Sequence, residues 1–275
     1  MKLVFLGVRG STPAPGAEFV RVGGNTSCVA VAHDGEPPSL VLDAGTGIRR
    51  LTAMLAGGPF RGTILLTHLH WDHVQGLPFF AAGDRDDAEV VLAIPGQGDG
   101  SPDAAEVLGR AMSPPHFPIG PGGLRGAWSF ESLEPGSFRR EGFDVTALEV
   151  AHKGGVTYGF RVSDGGASFA YLPDHATAAP RDGRLAANAR RLVEGAEVLI
   201  HDAQFVVGEE AVAADYGHSL VDDAVRLAAE GGVRRLWLFH HGPDRTDEQL
   251  ARIAAAATSD SVEVCVATEH STARL

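Results

Sequence analysis

The chain has 275 residues, of which 44% are hydrophobic and 21% charged. That is enough apolar material for one substantial core, and it excludes an intrinsically disordered chain. With 23 Lys and Arg against 35 Asp and Glu the net charge is −12, which argues against a long nucleic-acid partner while leaving a small phosphorylated ligand open, because metal ions can supply positive charge locally.

The opening run Met1–Gly7 is apolar but short. Val8-Arg9-Gly10 breaks it, and no small-residue cleavage site follows. It reads as a first strand rather than a signal peptide. No segment is long enough to span a membrane. Cys28 and Cys265 lie far apart, in no metal-type spacing. They read as two reduced, buried thiols of a cytoplasmic protein.

Short apolar runs between glycine-rich turns predict strands at Leu3–Gly7, Ser27–Ala32, Ser39–Asp43, Thr63–Thr67 and Glu89–Ile94. Further strands are expected at Trp128–Glu131, Phe143–Val150, Thr157–Val162, Ser168–Leu172, Val198–His201, Arg235–Phe239 and Ser261–Cys265. Helical stretches are expected at Thr46–Ala56, Pro102–Met112, Leu185–Glu194, Ser219–Glu230 and Thr246–Ala257. Ser219 with Asp222 suggests a capping box, and Leu220, Ala224 and Leu227 give the next helix an apolar stripe. Alternating strands and helices, with extra strands in the middle, pack most simply as an α/β (α+β) four-layer αβ/βα sandwich. The expectation is one domain over 1–275, with a packed, proline- and glycine-rich flap at about 96–126.

The densest signal is Thr67-His68-Leu69-His70-Trp71-Asp72-His73, directly after the apolar run Ile64-Leu65-Leu66. On extended backbone His68 and His70 point the same way. A helix starting near Trp71 would swing Asp72 and His73 to a second position, so one segment could feed two adjacent metal sites. Imidazole and carboxylate are the ligands expected for zinc and similar ions.

This HxHxDH pattern after an apolar strand resembles the metallo-β-lactamase superfamily, and the resemblance runs over nearly the whole chain. Leu42-Asp43-Ala44-Gly45-Thr46-Gly47 is similar to the family's first motif, which implies that Asp43 buttresses the histidine loop by hydrogen bonds. The resemblance implies His68, His70 and His152 on one metal, and Asp72, His73 and His240 on the other. Asp174, at the end of Tyr171-Leu172-Pro173-Asp174, would bridge them. His175 and His241 are the adjacent alternatives. Two divalent ions are implied, zinc first, with manganese or iron also accommodated.

Two further stretches narrow the branch. Leu199-Ile200-His201-Asp202-Ala203-Gln204 resembles the HEAT stretch of ribonuclease Z-like phosphodiesterases, and Gly217-His218-Ser219 resembles their GHS stretch. The glycine-rich start, Gly7 through Pro13 and Gly23 through Ser27, is similar too. The resemblance implies that His218 contacts the phosphate or protonates the leaving oxygen and that Asp202 orients it; in a two-metal mechanism Asp72 is placed to take the proton of the attacking water. One departure matters. Ribonuclease Z carries a long basic arm between the third-motif histidine and the bridging aspartate, whereas His152 and Asp174 are only 22 positions apart. A β-hairpin fits that span and a tRNA-gripping arm does not. The expectation is therefore a phosphodiesterase for a small phosphodiester, such as a cyclic nucleotide or cyclic sugar phosphate, with a carbonyl hydrolase (lactonase or thioesterase) as the alternative. Dimers are common in this branch, which leaves a homodimer open.

Overall fold

The computed structural model describes residues 1–98, 103–177 and 183–275. The strands in chain order are β1 (Lys2–Gly7), β2 (Cys28–Ala32), β3 (Leu40–Leu42), β4 (Arg61–Leu65), β5 (Glu89–Pro95), β6 (Ala127–Leu133) and β7 (Gly136–Arg140). They continue as β8 (Phe143–Glu149), β9 (Tyr158–Asp164), β10 (Ala167–Leu172), β11 (Val198–Asp202), β12 (Arg235–Phe239), β13 (Glu263–Val266) and β14 (Thr272–Arg274). The helices are α1 (Leu51–Met54), α2 (Trp71–Val74), α3 (Ala104–Gly109), α4 (Gly183–Val193), α5 (Glu210–Tyr216), α6 (Val221–Glu230) and α7 (Asp247–Ala256).

Among the described residues the strands form two sheets, ordered β14-β1-β2-β3-β4-β5-β6 and β13-β12-β11-β10-β9-β8-β7. In the first, the pairings from β14 to β3 are antiparallel and those from β3 to β6 parallel. The second repeats the plan, antiparallel from β7 to β10 and parallel from β10 to β13. Strand alternation explains why both faces of each sheet are covered. On β1, Leu3 and Phe5 enter the core between the sheets, while Val4 and Leu6 face the outer layer. On β10, Phe169 and Tyr171 face inward, while Ala170 and Leu172 meet α4 and α6 on the far side. The expected four-layer sandwich is the observed one.

Some local expectations need correction. The stretch 46–56 is mostly a 3-10 turn, Thr46–Arg50, followed by the single turn α1. The start of α6 is not capped by Ser219 and Asp222. Ser219 Oγ instead donates to His175 O, and the Leu220 N–H donates to Asp223 (3.3 Å), so the helix begins two residues later. Cys28 is buried, but Cys265 is only partly so, because β13 is an edge strand. The expected helix Pro102–Met112 is α3; Pro102 and the flap's residues 99–101 lie outside the described residues. In the rest of the flap Ala104, Leu108, Met112 and Pro121 are buried. Among the described residues no helix is long and apolar enough to cross a membrane.

A buried arginine ties the ends of the chain to this frame. Arg9, 0% exposed, donates to Gly23 O (2.7 Å), Arg245 O (2.6 Å) and Gly242 O (3.3 Å). Asp247 stands 3.8 Å away. A buried guanidinium needs such partners for its donors.

Candidate metal centre

The carboxyl ends of the parallel strands supply most of the site, as is usual for ligand crevices beside parallel sheets. After β4, Leu66 still donates to Ala93 O (2.9 Å), and Thr67 O accepts from Tyr158 of the second sheet (2.8 Å). Backbone stays extended through His70 (φ −64°, ψ 151°), which caps α2. His68 and His70 therefore project before the bend, and Asp72 and His73 after it. His152 follows β8, Asp174 follows β10 and His240 follows β12.

These distant segments meet. Candidate ligating atoms of His68, His70, His152 and Asp174 lie within 4.8 Å of one another, and so do those of Asp72, His73 and His240. Asp174, 2% exposed, stands between the groups. Its Oδ1 is 3.0 Å from His73 Nε2 and 3.2 Å from His240 Nε2. Its Oδ2 is 3.4 Å from His152 Nε2 and 3.7 Å from His68 Nε2. One carboxylate oxygen thus faces each set of imidazoles.

The donor set fits divalent cations. Two nitrogens each about 2.0–2.1 Å from a tetrahedral ion stand about 3.3 Å apart. His70 Nδ1 and His152 Nε2 are 3.3 Å apart, and His73 Nε2 and His240 Nε2 are 3.4 Å apart. His68 Nε2 and Asp174 Oδ1 are buried with no hydrogen-bond partner. Such orphans are costly in a protein interior, and a cation would satisfy both.

Neighbouring groups fix the ring orientations. Asp43, fully buried and at φ +60°, accepts from Thr67 N (2.7 Å), Thr67 Oγ1 (2.9 Å), His73 Nδ1 (2.9 Å) and Tyr171 OH (2.9 Å). The Nδ1 bond leaves His73 Nε2 as the lone-pair nitrogen. His152 Nδ1 donates to Gly217 O (2.7 Å) with the same effect. The Ser11 N–H donates to Asp72 Oδ2 (2.6 Å). Burial, reinforced by the neighbouring His73, holds His68 well below the usual imidazole range. Burial opposes ionisation of Asp174, but His240, His73 and His68 outweigh it and hold the carboxyl well below its usual range.

Asp202 and His218 sit beside this ring. His218 Nδ1 is 2.7 Å from Asp202 Oδ2, which leaves Nε2 for the cleft that His218 lines. Asp202 also accepts from His175 N (3.2 Å) and Gln204 N (3.1 Å). Burial works against a charged His218, yet the Asp202 carboxylate outweighs it and raises the imidazole to about 9. Local backbone explains the placement. Gly217 ends α5 at φ +79°, and a Cβ there would lie 2.6 Å from Lys153 N. Only glycine allows both that turn and that approach.

The two adjacent histidines point elsewhere. His175 Nδ1 pairs with His201 Nε2 (2.9 Å), and burial, then His201, lowers its pKa to about 3. His241 Nε2 donates to Ala267 O (3.0 Å), and burial lowers it to about 3 as well. The glycine-rich first turn, singled out in the sequence as one whose backbone could approach the site, does so: Ser11 meets Asp72 and Gly10 lies against His240. Sequence reasoning assigned those two contacts to no residue and missed Tyr171, which strand alternation carries inward on β10.

The profile of the beta-lactamase superfamily domain matches residues 39–241, which span Asp43 and all the clustered histidines and aspartates. The chain belongs to the beta-lactamase superfamily. A ribonuclease Z from Methanothermobacter thermautotrophicus is 27% identical over 286 residues, covering 87% of this chain and 86% of that protein. Among solved structures, the metallo-beta-lactamase fold protein YhfI from Bacillus subtilis superposes with a TM-score of 0.72 at 19% identity, covering 99% of this chain and 98% of that one. A diphosphatase from the PhnP family gives 0.68 at 18% identity, covering 100% and 97%. These two solved structures share the sandwich described above.

Proposed function

We propose that this protein is a two-metal phosphodiesterase, zinc-dependent by preference, acting on a small phosphodiester in the cytoplasm. His68, His70 and His152 would hold one cation, Asp72, His73 and His240 the other, with one Asp174 oxygen toward each. Such a pair of ions supplies Lewis acidity, charge for the non-bridging phosphate oxygens and a water acidic near neutral pH. The chain's own groups do the rest. Asp72, steadied by the Ser11 N–H, takes the proton of the attacking water. His218, held through Nδ1 by Asp202, donates from Nε2 to the departing oxygen.

The observation that carries this reading is the Asp202–His218 pair at 2.7 Å, beside a carboxylate that faces two imidazole sets. A carbonyl hydrolase has less use for a dedicated acid at that point. The 27% identical relative named as a ribonuclease supports phosphodiester chemistry. A small substrate is supported by the net charge of −12 and by the short span from His152 to Asp174. That span is filled by the hairpin β9–β10.

Purified protein should carry about two metal ions per chain and hydrolyse bis-p-nitrophenyl phosphate. His218→Ala should lower kcat about 10²- to 10⁴-fold with metal content retained. Hydrolysis of lactones or thioesters without any phosphodiester would overturn the reading.

A further inference from the structure

A second cavity, about 500 Å³, adjoins the metal cleft. Leu69 and Trp71 line both, so the two spaces lie on either side of these residues, next to His70. Its walls are apolar. Val74, Leu77 and Phe79 come from the segment after β4, and Met112 and Phe117 from the segment after α3. Trp71 is 75% exposed and Phe79 58%. Phe79 meets Phe117 edge to face at 5.8 Å. Exposed aromatic rings gathered at one mouth mark a binding surface rather than a leftover of packing. The polar groups are few: Gln75, Arg110 and His116. Among the described residues the Arg110 and His116 side chains make no hydrogen bond.

We propose that this cavity is the subsite for a nucleobase carried on the phosphodiester. A base has two apolar faces and a polar edge. Trp71 offers the stacking face beside His70, and Arg110, His116 and Gln75 offer partners for the edge. An alkyl chain of equal volume would leave Arg110 and His116 unused, whereas Gln75 already donates to Thr26 Oγ1 (3.4 Å). A few hundred cubic ångströms is the usual size for such a ligand. The proposal rests on the phosphodiesterase reading, and its test separates the two.

The test uses the metal-loaded full chain and two diesters that share a leaving group, thymidine 5′-(p-nitrophenyl phosphate) and ethyl p-nitrophenyl phosphate. Wild type should favour the thymidine diester in kcat/KM. Trp71→Ala and, separately, Phe117→Ala should each reduce that preference about tenfold, the size of one lost stacking contact, mainly through KM. Trp71→Phe should restore most of it. If wild type cleaves both diesters equally well, the subsite is wrong and the reaction class stands. If it cleaves neither, the reaction class is wrong, and the subsite is then judged on binding alone. In that case adenosine should quench tryptophan fluorescence in wild type and not in Trp71→Phe, where Trp128 and Trp237 remain; no difference would overturn the subsite too.

Discussion

The floor of the cleft and its rim are built in opposite ways. On the floor His73, His152, Asp72 and His218 are each held by another group. Asp43 holds His73, Thr67 and Tyr171, the Gly217 carbonyl holds His152, Ser11 holds Asp72, and Asp202 holds His218. At the rim Trp71 and Phe79 stand in solvent. A coupled buried network transmits any loss to its neighbours, whereas exposed, separate contacts act almost independently. Substitutions at Asp174, His73, His240 or their supports should therefore cost metal, that of His218 turnover, and those on the rim only substrate preference.

Asp174→Ala is the sharpest blow to the floor. It removes the one carboxylate shared by both imidazole sets. Metal content, read by elemental analysis, should fall from about two per chain toward zero with activity undetectable; two ions retained would break the comparison. Gly10→Ala comes next. Its Cβ would lie 2.4 Å from the His240 ring and 2.8 Å from Gln204 Oε1, so the ring must shift. About one ion per chain should remain, the one held away from His240. Asp43→Asn keeps the shape but loses an acceptor charge that orients His73. Metal affinity should weaken roughly 10- to 100-fold in a chelator competition, while circular dichroism stays that of the native fold.

The smallest effect lies far from the cleft and tests whether the coupling is confined to it. His33 lies 2.9 Å from Glu141 O and 2.8 Å from Asp164, and these partners raise its pKa above the ordinary value, the Glu141 carbonyl most. The cation is the form stabilised, so its contribution is complete below about pH 6.5 and is lost as pH rises through the raised value. Wild type should exceed His33→Gln in Tm by about 1–3 °C at pH 5.5 and by less at pH 9. Metal content should be equal in both.

The sheets and the ligand-bearing loops were legible for a physical reason. Buried strands between glycine turns are short apolar runs, and His68 through His73 combine residue types that serve little purpose together except around a cation. The elements missed lack that signal. On β7 half-buried and exposed positions alternate and no residue is buried, β14 has three residues, and only Ala213 of α5 is buried. The Ser219 cap failed because the His175 carbonyl, 44 residues away, claims its hydroxyl. The nucleobase cavity was equally hidden, since its two walls are about 40 residues apart and neither has a motif.

The buried arginine near the start of the chain has one more consequence. Its guanidinium binds main-chain oxygens at Gly23, Gly242 and Arg245, so, the Asp247 carboxylate apart, the clamp is blind to the side chains those loops display. Loops fastened in that manner can change their residues over generations without coming loose. The 242–245 turn is thus free to diversify while its distance from the reacting centre stays set.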